Sequence, residues 1–276
     1  MLFRPRDIAT KDRSTEDADD IGVIAIPQPS HSWLSGQLVR AWGNDRFARP
    51  APYEEVCLGA ALHDIGWLGW EAEPTLNPEI GLQHNFLDMK PAVHTRLWTT
   101  GVRQALAFGR YPALLVSLHA KTIYTSFFDF QKAPPDDARL VRSFLATQED
   151  FQRAAIEALS PDPLMAPHVS PEAIERNRRL VAATDRISLE ICWGITGEIR
   201  IPGVPTTGGD VTELTIRSPG GDPADLTLSP WPFAEARVAV FCEGRRVRGR
   251  FSDEGALREG LEKAERVTIR AVFNPA

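Results

Sequence analysis

The sequence predicts a mainly α-helical fold with a short N-terminal β-hairpin and a small β-rich (α+β) C-terminal unit. Three observations lead there. Between residues 30 and 194 helix starts follow one another, most of them marked by Ser or Pro, with apolar residues at helical spacing behind each. An apolar segment, Gly22-Val23-Ile24-Ala25-Ile26, comes before them and is closed by Pro27 and Pro29. After Gly194, Gly and Pro become frequent and short alternating segments replace the helical pattern. The expected organisation is N-terminal strands and a mobile loop over 1–29, a helical domain over 30–194 and the β-rich unit over 195–276. No flexible linker separates the last two, so the unit is expected to pack on the helical body.

In chain order, two short strands within 2–26 flank a charged loop over 10–20. Ser30 caps a helix expected over 30–42. Pro52 suits the first position of a helix over 52–66. Residues 67–90, with Pro74, Pro78 and Gly81, read as an irregular loop. Pro91 and Pro112 open helices over 91–108 and 112–128, and Asp136 or Asp137 opens an amphipathic one to 159. Ser170-Pro171-Glu172 is an N-cap and first turn for a helix to 192. Strands are expected at 213–217, 226–228, 237–241, 246–251 and 267–273, with one helix over 253–264.

Composition bounds the function. Of the 276 residues 43% are hydrophobic and 25% charged, as in ordinary globular domains, and the net charge of −6 speaks against a nucleic-acid backbone as partner. No apolar run is long enough for a membrane span, and the first residues lack the apolar centre of a signal peptide. Cys57, Cys192 and Cys242 form no CxxC pair, so reduced, buried thiols in a cytoplasmic protein are expected.

The tetrapeptide His63-Asp64-Ile65-Gly66 closes the apolar run Val56-Cys57-Leu58-Gly59-Ala60-Ala61-Leu62. A carboxylate buried there without a partner costs several kcal/mol or takes up a proton, and a divalent ion removes the problem. Five of the six histidines precede residue 120. His31 lies in the first turn of one predicted helix, His94 in the first turn of another, His119 within Leu114-Leu115-Val116-Ser117-Leu118-His119-Ala120, and Asp185 within a further apolar helix. A lone histidine on such a helix is more often a core residue, and a lone aspartate more often pairs with an arginine, here Arg186. Their conjunction on separate helices is accounted for by one metal centre. His84 and His168 fall in loops. An imidazole and carboxylate donor set without thiolate suits iron, manganese, cobalt, nickel or zinc, with one or two ions bound.

The pattern His31, then His63-Asp64, then Asp185 in Ala182-Ala183-Thr184-Asp185-Arg186 resembles the HD-domain superfamily of metal-dependent phosphohydrolases over about residues 22–194. Within it the chain resembles a bacterial family of this length without a settled activity, through Ile26-Pro27-Gln28-Pro29-Ser30-His31, Leu62-His63-Asp64-Ile65-Gly66-Trp67, Ser117-Leu118-His119-Ala120 and Ser229-Pro230-Trp231-Pro232-Phe233. The resemblance implies an HD-type helical bundle around a metal held by His31, His63, Asp64 and Asp185. Members with two metals add two histidines, whose places His94 and His119 fit. Asp64 would then bridge the ions, and Asp64, His94 and His119 would serve catalysis. His84 competes with His94.

The implied activity is phosphoester or phosphoanhydride hydrolysis by a metal-activated water on a small anionic substrate. A di-iron oxygenase acting on a small polar substrate, as in myo-inositol oxygenase, and a non-catalytic metal-binding protein are the alternatives. Where many members carry a lysine or histidine after the HD pair, this chain has Trp67, then Trp70, which implies a flatter, more apolar wall. Lys121, Tyr124, Arg96 and Arg186 are the candidate anion contacts, with Lys121, Trp67 and His84 the expected substrate-binding set, although Lys121 faces away from His119 on a straight helix. Pro230-Trp231-Pro232-Phe233 has three open roles: walling the site, mediating a homodimer or packing on the helices.

Overall fold

The structure, a computed structural model, describes residues 1–5 and 22–276; the loop over 10–20 lies outside the described residues. Seven strands form one sheet in the order β1-β2-β8-β9-β7-β6-β5. They are β1 (Leu2–Arg4), β2 (Val23–Ile26), β5 (Glu198–Pro205), β6 (Val211–Arg217), β7 (Asp225–Ser229), β8 (Val238–Val247) and β9 (Glu265–Pro275). Neighbours are antiparallel except β7 and β9, which run parallel. Two short strands, β3 (Leu76–Asn77) and β4 (Leu82–Gln83), pair separately inside the segment expected to be irregular.

The principal helices are α1 (Gln28–Ala41), α2 (Tyr53–Ala61), the short α3 (Leu68–Ala72), α4 (Pro91–Ala105), α5 (Arg110–Thr122), α6 (Pro135–Leu159), α7 (Pro171–Trp193) and α8 (Glu254–Lys263). Pro sits in the first turn of α1, α4, α6 and α7, and Ser170 accepts a hydrogen bond from the Ala173 N–H at the start of α7.

This architecture corrects the expected mainly-α HD bundle: the chain has an α+β fold organised on the seven-stranded sheet. The expected N-terminal pair forms, β1 antiparallel to β2 with Leu2 opposite Ile26, but it is not a separate hairpin. Strand β2 pairs with β8, Val23 opposite Val247, so the chain's first and last parts share one sheet. Local pattern shows a strand but not a partner more than two hundred residues away. Strand β5 is not among the expected strands: Pro202 and Gly203 interrupt its pattern, at an irregularity between Ile201 and Val204. The segment 246–251 is not a strand of its own; β8 ends at Val247.

One buried cluster joins Leu34, Leu38, Ile187 and Ile191 of the helices to Ile201, Leu214, Leu228 and Ile269 of the sheet. Gln37 on α1 clamps β8, its side-chain amide donating to the Phe241 carbonyl at 2.7 Å and its Oε1 accepting the Phe241 N–H at 3.1 Å. Phe233 packs edge-on against Trp42 at 5.7 Å, and the Gly43 N–H donates to Pro232 O, so Pro230-Trp231-Pro232-Phe233 packs on the helices. The three cysteines are free and buried, with Cys192 and Cys242 3.8 Å apart at sulfur.

Small residues set the helix crossings. A Cβ on Gly36 would lie 2.6 Å from the Ala61 Cβ, and one on Gly59 2.6 Å from Leu115 Cδ1. At Gly66 a Cβ would lie 2.0 Å from the Leu97 carbonyl oxygen, where α4 crosses the 3₁₀ turn Ile65–Trp67. Gly66→Ala is therefore expected to cost about 3 kcal/mol or more in urea unfolding, the upper end of overpacking penalties. Gly69→Ala, with nothing within 4 Å, is expected to stay within about 0.5 kcal/mol of the parent.

Candidate metal centre

Four elements deliver the polar cluster. His31 comes from the first turn of α1, His63 and Asp64 from the turn that ends α2, His119 from α5 and Asp185 from the middle of α7. The helix expected over 52–66 stops at Ala61, and that break turns His63 and Asp64 inward. All five side chains are buried. His31 Nε2 lies 2.8 Å from Asp64 Oδ2, and His63 Nε2 lies 3.2 Å from Asp185 Oδ1 and 3.8 Å from Asp64 Oδ2. His119 Nε2 is 3.8 Å from Asp185 Oδ2. Two ligands each about 2.1 Å from a shared ion stand roughly 3.0–3.4 Å apart at right or tetrahedral angles; the His63–Asp185 separation of 3.2 Å falls in that range, and the others, at 2.8 and 3.8 Å, lie on either side of it.

The surrounding hydrogen bonds fix which nitrogen of each ring carries hydrogen. His63 Nδ1 donates to the Ala60 carbonyl at 2.8 Å. Ser188 spends its hydroxyl hydrogen on the Asp185 carbonyl, so its Oγ accepts from His31 Nδ1 at 2.8 Å. In the neutral rings, Nε2 of both histidines therefore presents a lone pair toward carboxylate oxygens; with a proton on it, His31 Nε2 donates to Asp64 Oδ2 at 2.8 Å. His63 Nε2, although 3.2 Å from Asp185, is off line for a hydrogen bond and is a buried nitrogen without a partner. This is how proteins prepare imidazole for a metal, with the distal N–H anchored and Nε2 turned toward the other ligands. The Gln28 amide donates to Asp64 Oδ2 at 3.2 Å and steadies the carboxylate.

The electrostatics agree. Burial alone would raise the Asp185 pKa, yet the charges of His119, His63 and His31, with His63 Nε2 only 3.2 Å away, hold it well below the usual carboxylate range. Asp64 is likewise held down, against burial, by the His31 hydrogen bond and the charges of His63 and His31. Burial pulls His63 down, but Asp185 and Asp64 outweigh it and the net direction is up. The cluster thus draws positive charge inward. Donor atoms of His31, His63 and Asp185 all lie within 4.8 Å of one another, and this buried group can hold a metal ion.

The cluster opens into a cavity of about 380 Å³. Its polar end has Gln28, His31, Asp64, His94, His119 and Asp185; aromatic rings, among them Phe86, Trp98, Tyr124, Phe127, Phe128 and Trp193, line much of the rest. Arg186 is the only Lys or Arg lining it among the described residues, and it pairs with the buried Glu190.

Other expected residues lie elsewhere. His94 lines the cavity but uses both nitrogens: Trp98 Nε1–H donates to Nε2 at 3.1 Å, and Nδ1 bonds the Tyr124 hydroxyl at 2.9 Å. Ligation through Nε2 would require breaking the Trp98 bond. Lys121 points to the surface and pairs with Glu149 at 2.8 Å, as its position two residues past His119 foretells. His84 bonds Thr75 outside the cavity. Trp67 is buried edge-on to Trp70 and against His94, not in the cavity wall. Of the four anion-contact candidates, Tyr124 and Arg186 line the cavity, while Lys121 and Arg96 do not. Sequence reading missed Gln28 and Ser188. Gln28 is one turn before His31, and Ser188 one turn after Asp185, spacings that place them beside the ligands.

A family model described as "Protein of unknown function (DUF3891)" matches residues 15–249. No curated protein and no solved structure matches the chain. Among the described residues no helix is long and apolar enough to cross a membrane.

His63→Ala and Asp185→Ala are expected to abolish metal content by elemental analysis, whereas His168→Ala keeps it; equal content in all three refutes the site. Chelation of protein held with ion at about 100 times its Kd should lower Tm by about 5 °C.

Proposed function

The chain belongs to the DUF3891 family, and from its site we propose that it is a metal-dependent hydrolase of small phosphoesters. The observation that carries this reading is the pair of Nε2 lone pairs, on His31 and His63, fixed by Ser188 and Ala60 and facing two buried carboxylates. The resemblance to the HD superfamily, in residues rather than in overall architecture, supports the same chemistry. His31, His63, Asp64 and Asp185 would hold one divalent ion, drawn from iron, manganese, cobalt, nickel or zinc. When bound, such an ion polarises a phosphoryl oxygen and lowers the pKa of water towards about 7.

The chain's own groups do the rest. Asp64 and Asp185 supply negative charge that keeps the ion in place, and Gln28 and Ser188 keep the ligands oriented. His119 lies on the cavity wall with its Nδ1 unpartnered, and burial with the His63 charge lowers its pKa to about 4. It is therefore neutral at pH 7 and has a lone pair with which to take a proton. Arg186 supplies the cavity's cation for the substrate's anionic group. With both His94 nitrogens engaged, one ion is the stoichiometry that leaves the hydrogen bonds intact.

The metal-loaded protein is expected to release p-nitrophenol from p-nitrophenyl phosphate under anaerobic conditions, with His63→Ala and Asp185→Ala lowering kcat/KM at least 100-fold. Two irons per chain with substrate-dependent oxygen consumption would overturn the hydrolase reading in favour of an oxygenase.

A further inference from the structure

The hydrogen bonds around His94 run in one direction. Indole nitrogen is a donor only, so Trp98 Nε1–H donates to His94 Nε2 at 3.1 Å. In the neutral ring the remaining hydrogen is on Nδ1, and it is donated to the Tyr124 oxygen at 2.9 Å. That leaves the Tyr124 hydroxyl hydrogen unspent, and no acceptor for it occurs among the described residues. Tyr124 is buried and lines the cavity, within the π-helical stretch Ile123–Phe127 that follows α5, a local geometry common at functional sites.

The space beside this donor is apolar. Phe86, Met89, Trp98, Phe128 and Trp193 line it, and Phe127 stands at 66% exposure among the same lining residues. A polyphosphate would find one arginine there, already paired with Glu190. A flat apolar group would find ring faces.

From this juxtaposition we infer that the site takes an aryl or similarly apolar ester with one anionic head, and that Tyr124, set by the Trp98–His94–Tyr124 chain, is the donor that positions it. The inference rests on the hydrolase reading for the ester and on this geometry for the ligand class. Burial of the ring raises the Tyr124 pKa and lowers that of His94 to about 4, which keeps both groups in the neutral forms the chain requires.

The test uses full-length protein with the metal it carries, and two non-hydrolysable probes, phenylphosphonate and methylphosphonate, titrated by calorimetry beside ATP. Phenylphosphonate is expected to bind at least tenfold more tightly than either. Tyr124→Phe should weaken phenylphosphonate about tenfold without changing metal content, and should raise KM for phenyl phosphate more than it lowers kcat. Phe127→Ala, at an exposed position that does not endanger folding, should weaken phenylphosphonate but not methylphosphonate. Equal affinity for the two phosphonates, tighter ATP binding, no binding of either phosphonate, or an unaltered Tyr124→Phe would overturn the inference. Aryl preference in binding with no ester cleaved under any metal would sink the hydrolase reading alone; ester cleavage without aryl preference would sink the ligand class alone.

Discussion

Two carboxylates, Asp64 and Asp185, are buried among three imidazoles, and this constraint organises the rest of the helical half. Desolvating two carboxylates costs far more than one surface ion pair returns, so compensating positive charge must come from inside. Protons on the histidines can supply it, but the distal hydrogen bonds to Ser188 and Ala60 have already assigned one hydrogen to each ring. The second site on each ring, Nε2, is where a further proton or an ion must go. A divalent ion neutralises both carboxylates at once and uses both lone pairs, whereas protonation places two imidazolium rings 5.0 Å apart between centroids.

Backbones must come close to hold such a cluster, and glycine provides the means. Gly36 against Ala61, Gly59 against Leu115 and Gly66 against Leu97 and Gly101 bring three helix pairs to distances that no side chain would permit. The His63 and His119 rings consequently sit 4.5 Å apart between centroids. The sheet fixes the outer ends of the same helices. Arg4 of β1 donates to the Cys192 carbonyl at 2.8 Å, and Gln37 ties α1 to β8. An N-terminal strand thereby pins the helix that carries Asp185.

Much of the cluster was legible in the sequence, because ionisable residues in apolar helical runs are conspicuous: His31, His63, Asp64, His119 and Asp185 all converge. Helix starts were legible for a similar reason, since Pro and Ser mark them locally. Strand pairing was not, because β2 and β8 meet only through the tertiary fold, so local pattern predicts a bundle with appendages where the chain builds an α+β sheet. Direction along a helix decided the misses within the site. Lys121 lies near His119 in sequence but on the outer face, and Gln28 and Ser188, one turn from ligands, carry no charge to draw attention.

Position 67, three residues after Asp64, sets the character of the ground behind His94. Trp67 packs against His94 at 5.8 Å, and Trp98 covers the ring from the other helical turn, also at 5.8 Å. Between two indoles the imidazole has little to stabilise a charge, which is why its pKa falls to about 4. A lysine at position 67 would bring a buried ammonium beside a neutral ring and would have to be desolvated to sit there. The tryptophan and the neutral His94 are thus parts of one choice. The cavity gives up a cation near the cluster and gains a neutral donor chain ending at Tyr124. Such a wall loses the Coulombic hold that a triphosphate needs, and it favours a ligand whose own surface is apolar and whose charge is confined to the end near the metal ligands.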